Sequence, residues 1–302
     1  MEGTSLMYKH ALFTFEHNCK SFPDKVALIY RGKSFSYTQL KELSDRFATA
    51  LHELGVKEND KVFIYLPNCV QWVIAYLAIL EIGAIAVPVS PIYTPSEITY
   101  MINDSGAETI ICQDTNFGYV KEVLPHTGLK RVIYTGLASM LPLWKRVVGM
   151  LFDRVPRGSI ERGEKIFAFK ELIAQHPPQP PRPKIDPREH LAYILYTGGT
   201  TGLPKGVPGT HSFINCMIND YQKVIEGYIS EGASTMIMVG PLFHIMGQAT
   251  FLSIGLGLGS RTVLMPIPEV DSILKAIEKY SVDLLSGVPT LYRMILENDR
   301  LD

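Results

Sequence analysis

Tyr196-Thr197-Gly198-Gly199-Thr200-Thr201-Gly202-Leu203-Pro204-Lys205-Gly206 is the stretch on which the reading of this chain turns. It places three threonines, four glycines and one lysine between an apolar, strand-like segment and a segment that reads as a helix. Glycines let a backbone reach positive φ and bring its N–H groups close to a ligand. Hydroxyls add donors, a lysine adds a compact positive charge, and a following helix N-terminus would add its dipole. These are the components of a loop that cradles polyphosphate. An ordinary surface turn would also suit Gly, Thr and Pro, but turns seldom run this long or carry a lysine within them.

Two common phosphate loops are excluded by spacing. A P-loop needs Gly, four residues, then Gly-Lys-Ser/Thr. Here the fifth residue after Gly199 is Pro204, the fifth after Gly198 is Leu203, and Lys205 is followed by Gly206. No Gly-x-Gly-x-x-Gly fingerprint of the dinucleotide-binding kind can be read either.

Outward from the loop, strand and helix patterns alternate. Lys61 to Leu66 reads as a buried strand, Val70 to Ile82 as a helix, and Ala84 to Val89 as a strand. Thr94-Pro95-Ser96-Glu97 is a capping box with proline at the first helical position, and Gly106 closes that helix. Short strands follow at Thr109 to Cys112 and Arg131 to Tyr134. After a proline-rich joint at 176–188, Leu191 to Leu195 forms the strand feeding the loop, and Thr210 caps a helix reaching about Glu226. Strands at Thr235 to Val239, Arg261 to Met265 and Asp283 to Leu285 alternate with helices. Asp271 is placed as an N-cap for a helix from Ser272 to Tyr280, and Pro289 to Asn298 reads as a final helix. Such alternation predicts an α/β fold with βαβ units and a largely parallel sheet.

The 302 residues, 46% hydrophobic, are enough for a large core and two structural units. A net charge of -1 provides no global field for nucleic acid or a membrane surface. Cys19, Cys69, Cys112 and Cys216 are scattered, without metal-ligand spacing, so reduced thiols and a cytoplasmic location are the simpler reading. The start, Met1-Glu2-Gly3, lacks the basic beginning and apolar run of a signal peptide. The most hydrophobic stretch contains Gln71 and Glu81 and breaks at Gly83 and Pro88, unlike a span of about 20 apolar residues.

The loop resembles the nucleotide-binding signature of the adenylate-forming superfamily, usually Tyr-Thr-Ser-Gly-Thr-Thr-Gly-x-Pro-Lys-Gly. Gly198 departs from that wording as in bacterial-type long-chain fatty acyl-CoA ligases, and Pro208-Gly209 replaces a more usual apolar pair. Further stretches resemble the same superfamily in order: Ser36-Tyr37-Thr38-Gln39-Leu40, Gly83 to Pro91, Pro241-Leu242-Phe243-His244-Ile245-Met246-Gly247, and Gly287-Val288-Pro289-Thr290. The resemblance implies a layered αβαβα N-terminal domain of two similar subdomains, 1–70 with 235–302 and 71–234, in an acid–thiol ligase. It implies MgATP, CoA and a fatty acid as substrates: the acid is joined to AMP, then passed to CoA. Tyr196, Thr197, Gly198, Gly199, Thr200, Thr201, Gly202 and Lys205 would contact the ATP phosphates. Thr200 would reach Mg²⁺ together with a partner beyond Asp302, and Thr200, Lys205 and His244 would form the catalytic set. Phe243, His244, Gly247, Gly287 and Pro289 would line the acyl pocket. Relatives continue with a Tyr-Gly-x-Thr-Glu motif, a ribose-binding aspartate and a small domain bearing a catalytic lysine. With Asp302 as its last residue, this chain is therefore expected to be an N-terminal part only.

Several readings stay open. His244 is either a structural histidine in an apolar run or a positioning residue beside the acyl carboxylate. Phe243, Met246 and Phe251 are either core or pocket. The segment opening at Leu141 and closing at Val155 carries Trp144, Val147, Val148, Leu151 and Val155 on one helical face, with Lys145, Arg146 and Arg154 largely elsewhere. It suits either a domain-packed surface helix or a peripheral membrane contact. Against a fatty acid stand an aryl acid, a carrier protein as acceptor, and a catalytically silent nucleotide- or acyl-binding module.

Overall fold

The computed structural model describes residues 6–141, 158–161, 163–198 and 202–301. Its strands are β1 (Val26–Tyr30), β2 (Lys33–Ser36), β3 (Lys61–Tyr65), β4 (Ile85–Pro88), β5 (Thr109–Gln113) and β6 (Arg131–Thr135). They continue with β7 (Ile166–Ala168), β8 (Leu191–Thr197), β9 (Lys205–Thr210), β10 (Thr235–Met238), β11 (Arg261–Leu264) and β12 (Leu284–Ser286). Helices used below are α1 (Phe13–Ser21), α2 (Tyr37–Glu53), α3 (Val70–Glu81), α4 (Pro95–Ser105), α5 (Phe117–Val123), α6 (Phe169–Gln175), α7 (His211–Val224), α8 (Ile245–Thr250), α9 (Val270–Tyr280) and α10 (Pro289–Leu296).

Two sheets result. One has the order β7-β6-β5-β3-β4-β8-β9 and is parallel except for β9 at its edge. The other, β12-β10-β11-β1-β2, joins the two ends of the chain, with Leu28 of β1 opposite Thr262 of β11 in parallel register. β3 lies in the larger sheet, so the division drawn at residue 70 moves ahead of Lys61. A strand as apolar as Lys61–Tyr65 needs a parallel neighbour on each side, and it has β4 and β5.

The alternation along β3 sorts the helices onto two faces. Val62 and Ile64 pack in the core that holds α3, whereas Phe63 and Tyr65 pack with Ile98 and Met101 of α4 and Val120 of α5. The loops leaving β3 and β4 therefore turn to opposite faces, which is the arrangement that opens a crevice at the C-terminal ends of such strands. α3 is buried on every side. Its two polar residues have partners: Gln71 donates to Gly136 O at 2.9 Å and Ser139 Oγ at 3.0 Å, and Glu81 receives Arg182 Nε at 2.8 Å. Arg182 thus pins the proline-rich joint to the core. Among the described residues no helix is long and apolar enough to cross a membrane.

Several expectations need correcting or fall elsewhere. The glycine-threonine stretch is followed by β9 and not directly by a helix: β8 and β9 pair antiparallel, with Thr197 opposite Lys205. The next helix, α7, starts only at His211 and is capped by Thr210. α9 begins at Val270, so Asp271 is in its first turn and pairs with Arg300 at 3.0 Å. The capping box at Thr94, Pro95 and Glu97, and the left-handed Gly106 (φ 69°), stand where the sequence put them. The segment from 142 to 155 lies outside the described residues, as do Gly199, Thr200, Thr201 and Asp302. The magnesium expectation, Thr200 with a partner beyond Asp302, therefore lies outside the described residues at both of its ends.

His211 ties the start of the chain to α7. Its Nδ1 accepts the N–H of Ala11 at 3.3 Å, its ring stands 4.6 Å from that of His10, and it is fully buried. Burial, and then the nearby His10 and His190, lower its pKa to about 3. The unfolded chain takes up this proton near the ordinary value of 6.5, the folded chain only near 3, so stability falls as pH drops through that window. From neutrality to about pH 5 the loss due to His211 should be about 2 kcal/mol. Urea denaturation at both pH values checks this: His211→Gln should lose about that much less than the wild type on acidification.

Candidate active site

A cavity of about 400 Å³ opens where the strand ends of the two sheets meet. One wall is the end of β4 and the turn after it (Pro88, Val89, Ser90 and Tyr93). A second is the hairpin, through Tyr193, Leu195, Thr197, Gly198 and Val207, with Phe213 from α7 beside it. The third is Phe243, His244 and Ile245, which follow β10.

The hairpin wall follows from strand alternation. Tyr193, Leu195 and Thr197 share one face of β8. Tyr196 borders the cavity, but its hydroxyl turns to the other face and donates to Met101 O at 3.1 Å and to Asp104 Oδ2 at 2.6 Å. Across the ladder each tyrosine meets a glycine: Tyr193 is opposite Gly209, and Tyr196 is opposite Gly206. A Cβ on Gly209 would lie 2.4 Å from the Tyr193 hydroxyl oxygen, and one on Gly206 would lie 3.3 Å from Tyr196 Cζ. These two glycines make room for rings. Gly198 and Gly206 do not take positive φ, contrary to the conformational argument from sequence. At Gly198 a Cβ would meet nothing within 4 Å, so what glycine provides there is an open approach to the backbone.

Phe243 and His244 both line the cavity, whereas Gly247, Gly287 and Pro289 do not. Gly247 is buried against the Pro241 carbonyl, which a Cβ would approach to 2.1 Å; it lets α8 fold back under the turn that carries His244. Gly287 and Pro289 lead into α10, where Tyr292 Oη accepts the Gly287 N–H at 3.1 Å. Met246 and Phe251 do not line the cavity either, and Phe251 is core. His244 is the N-cap of α8 and is exposed; its Nδ1 accepts the Met246 N–H at 3.3 Å. The hydrogen of the neutral ring is then on Nε2, available as a donor. Thr197 and Lys205 are exposed on the two strands of the hairpin, and Thr197 Oγ1 is 3.5 Å from Lys205 O. Among the described residues no His, Cys, Asp and Glu side chains gather into a metal-holding group.

Asn68 is the residue that sequence reasoning missed. It sits in the turn between β3 and α3, is 5% exposed, and reaches across to the other sheet. Its Nδ2 donates to Gly240 O at 3.0 Å and Met265 O at 3.2 Å, and its Oδ1 accepts the Leu242 N–H at 2.8 Å. The turn carrying Phe243 and His244 is thereby fixed to the sheet that carries β4 and β8. The only signal was a polar residue in Leu66-Pro67-Asn68-Cys69, between two apolar runs, which reads as an ordinary turn.

The AMP-binding enzyme family matches residues 15–302. The chain belongs to that family. As an AMP-binding enzyme it is 32% identical to a long-chain-fatty-acid–CoA ligase of Haemophilus influenzae, over 97% of this chain and 53% of the relative. Its fold is similar to that of an anthranilate CoA ligase solved with anthranoyl-AMP (TM-score 0.81, 20% identity, 97% of this chain and 52% of that one). It is also similar to a long-chain-fatty-acid–CoA ligase from Archaeoglobus fulgidus (TM-score 0.79, 22% identity, 98% of this chain and 55% of that one). The chain spans about half the length of these relatives, and within the AMP-binding fold it supplies the N-terminal part.

Asn68→Ala would leave one buried and two part-buried backbone groups without their partner. At about 1 kcal/mol each, the cost should be about 3 kcal/mol, read as a lower urea midpoint. A change below about 0.5 kcal/mol would mean that the two sheets are held together without it.

Proposed function

We propose that the protein of which this chain is the N-terminal part activates a carboxylic acid with MgATP and transfers the acyl group to CoA, and that the acid is a fatty acid. The observation that carries this is the meeting of the Thr197–Gly198 turn with His244 across one cavity. A fatty acid is already a carboxylate at neutral pH, so the first step needs no general base. A carboxylate oxygen bonds to the α-phosphorus of ATP as the bond to pyrophosphate breaks. The thiol sulfur of CoA, its proton released to solvent, then bonds to the acyl carbon as the carbon–oxygen bond to AMP breaks and AMP leaves with the electron pair. The first step brings two anions together, so the site must orient them and neutralise charge.

In this reading, the backbone N–H groups of the turn, the hydroxyls of Thr197, Thr200 and Thr201, and Lys205 hold the phosphates. Magnesium enters with ATP, with Thr200 the candidate for a hydroxyl beside it and its partner supplied from beyond Asp302. His244, with Nε2–H as donor, positions the carboxylate near the α-phosphate. The curated relative at 32% identity supports a fatty acid. An aryl acid is the second reading, favoured by the rings of Tyr93, Tyr193, Phe213 and Phe243 around the cavity.

Lys205→Ala should weaken MgATP binding to this chain by about tenfold or more, the loss of one charge-assisted contact, measured by titration calorimetry. Unchanged affinity would remove the phosphate assignment. Pyrophosphate exchange across fatty and aryl acids, in the protein extended to the full length of its relatives, decides the acid.

A further inference from the structure

Tyr193 is 4% exposed, yet it borders the cavity, and its hydroxyl has no hydrogen-bond partner among the described residues. It reaches that place because Gly209 stands opposite it in the ladder. With any Cβ at 209 the ring would be struck at Cζ (2.2 Å) and Oη (2.4 Å) and would have to move. Phe213 closes over it edge-on, with ring centroids 6.4 Å apart. Gly209, in the Pro208-Gly209 pair that departs from the family's wording, therefore makes room for the Tyr193 ring that borders the cavity.

The polar lining of the cavity is divided between the hairpin, with Thr197, Gly198 and Tyr193, and the facing walls, with Ser90, Tyr93 and His244. Thr197 and Gly198 are at the hairpin turn. Tyr193 lies four residues back along β8 on the same face, about 13 Å from Thr197 by strand rise. On the hairpin side the lining between them is apolar, formed by Leu195 and Val207. A saturated hydrocarbon filling this space would leave the phenol buried and unpaired, at a cost of about 1–3 kcal/mol. Burial pushes the phenol pKa up to about 12, so at neutral pH it carries its proton and can donate.

We propose that Tyr193 is a specificity-determining residue, and that the acid taken by this cavity carries an oxygen substituent, a hydroxyl or carbonyl, several carbons from its carboxylate. The substituent oxygen accepts from Tyr193 Oη while the carboxylate lies at the Thr197 and His244 end. This rests on the reading of the cavity as the acid-binding site.

The test is a calorimetric titration of this chain, in the presence of MgATP, with matched pairs: hexanoate, octanoate and decanoate, each against its terminal hydroxy derivative. The wild type should bind the hydroxy acid of at least one pair about tenfold more tightly than its parent, the worth of about one hydrogen bond. Tyr193→Phe, which keeps the ring, should abolish that preference while leaving affinity for the parent acids within about twofold. Gly209→Ala, which displaces the ring, should abolish it too, and a thermal melt of each variant shows that both are folded. Equal affinity within every pair in the wild type, or a preference that survives in Tyr193→Phe, overturns the assignment of Tyr193 and leaves the acid site standing. Failure of every acid to bind the wild type overturns the acid-site reading and this inference with it.

Discussion

Asn68 gives the apolar packing between the two sheets a fixed direction. Each sheet is a self-consistent layer, but the cavity belongs to neither. Two of its walls come from the larger sheet and the third from the turn after β10 in the smaller one. Apolar packing between the sheets is strong but non-directional. Asn68 adds direction, because one amide binds Gly240, Leu242 and Met265 at once and so fixes the turn that carries His244. A slip of one sheet past the other could keep much of the buried area, but it would weaken all three bonds together.

The hairpin solves a related problem at the sheet's edge. β9 is made of residues poorly suited to a strand, with Gly206, Pro208 and Gly209 among its six. It survives as a strand because it is an edge, where a missing proline N–H costs least, and because its glycines receive the rings of Tyr196 and Tyr193. The rings supply the packing that glycine lacks. Tyr196 is held further by Asp104 on α4, so β8 is anchored from both faces.

The parts of the fold legible in the sequence were those with local signatures. β3, α3 and β4 were readable because runs buried on both faces are almost wholly apolar, and α4 because Thr94, Glu97 and Gly106 mark its ends. The pairing of β1 with β11 was visible only as a family expectation, since a parallel contact across so many residues leaves no mark in either segment. β9 was hidden because glycine and proline signal a break, and only the tyrosines opposite make it a strand. Asn68 looked like any turn residue, since its partners are backbone atoms supplied by another part of the chain. The candidate site was legible in its motif residues, with Phe243 and His244 at the cavity, but not in the placement of Gly247, Gly287 and Pro289. Gly247 meets a close backbone approach, and Gly287 and Pro289 stand at a helix start.

Because the cavity is assembled from distant segments, its ligand affinity reports on the whole assembly. β1 can pair with β11 only after a loop of more than two hundred residues has closed, and Asn68 can reach Leu242 only once both sheets are formed. Closing such loops costs entropy before the contacts repay it. The larger sheet, whose strands all lie between Lys61 and Thr210, can form with shorter closures and would present the hairpin wall first. The turn bearing His244 is then the last wall to arrive. A ligand that touches both the hairpin and His244 binds only the finished arrangement and stabilises it by mass action. The same contacts that would position two anions for reaction would therefore lock the two sheets together.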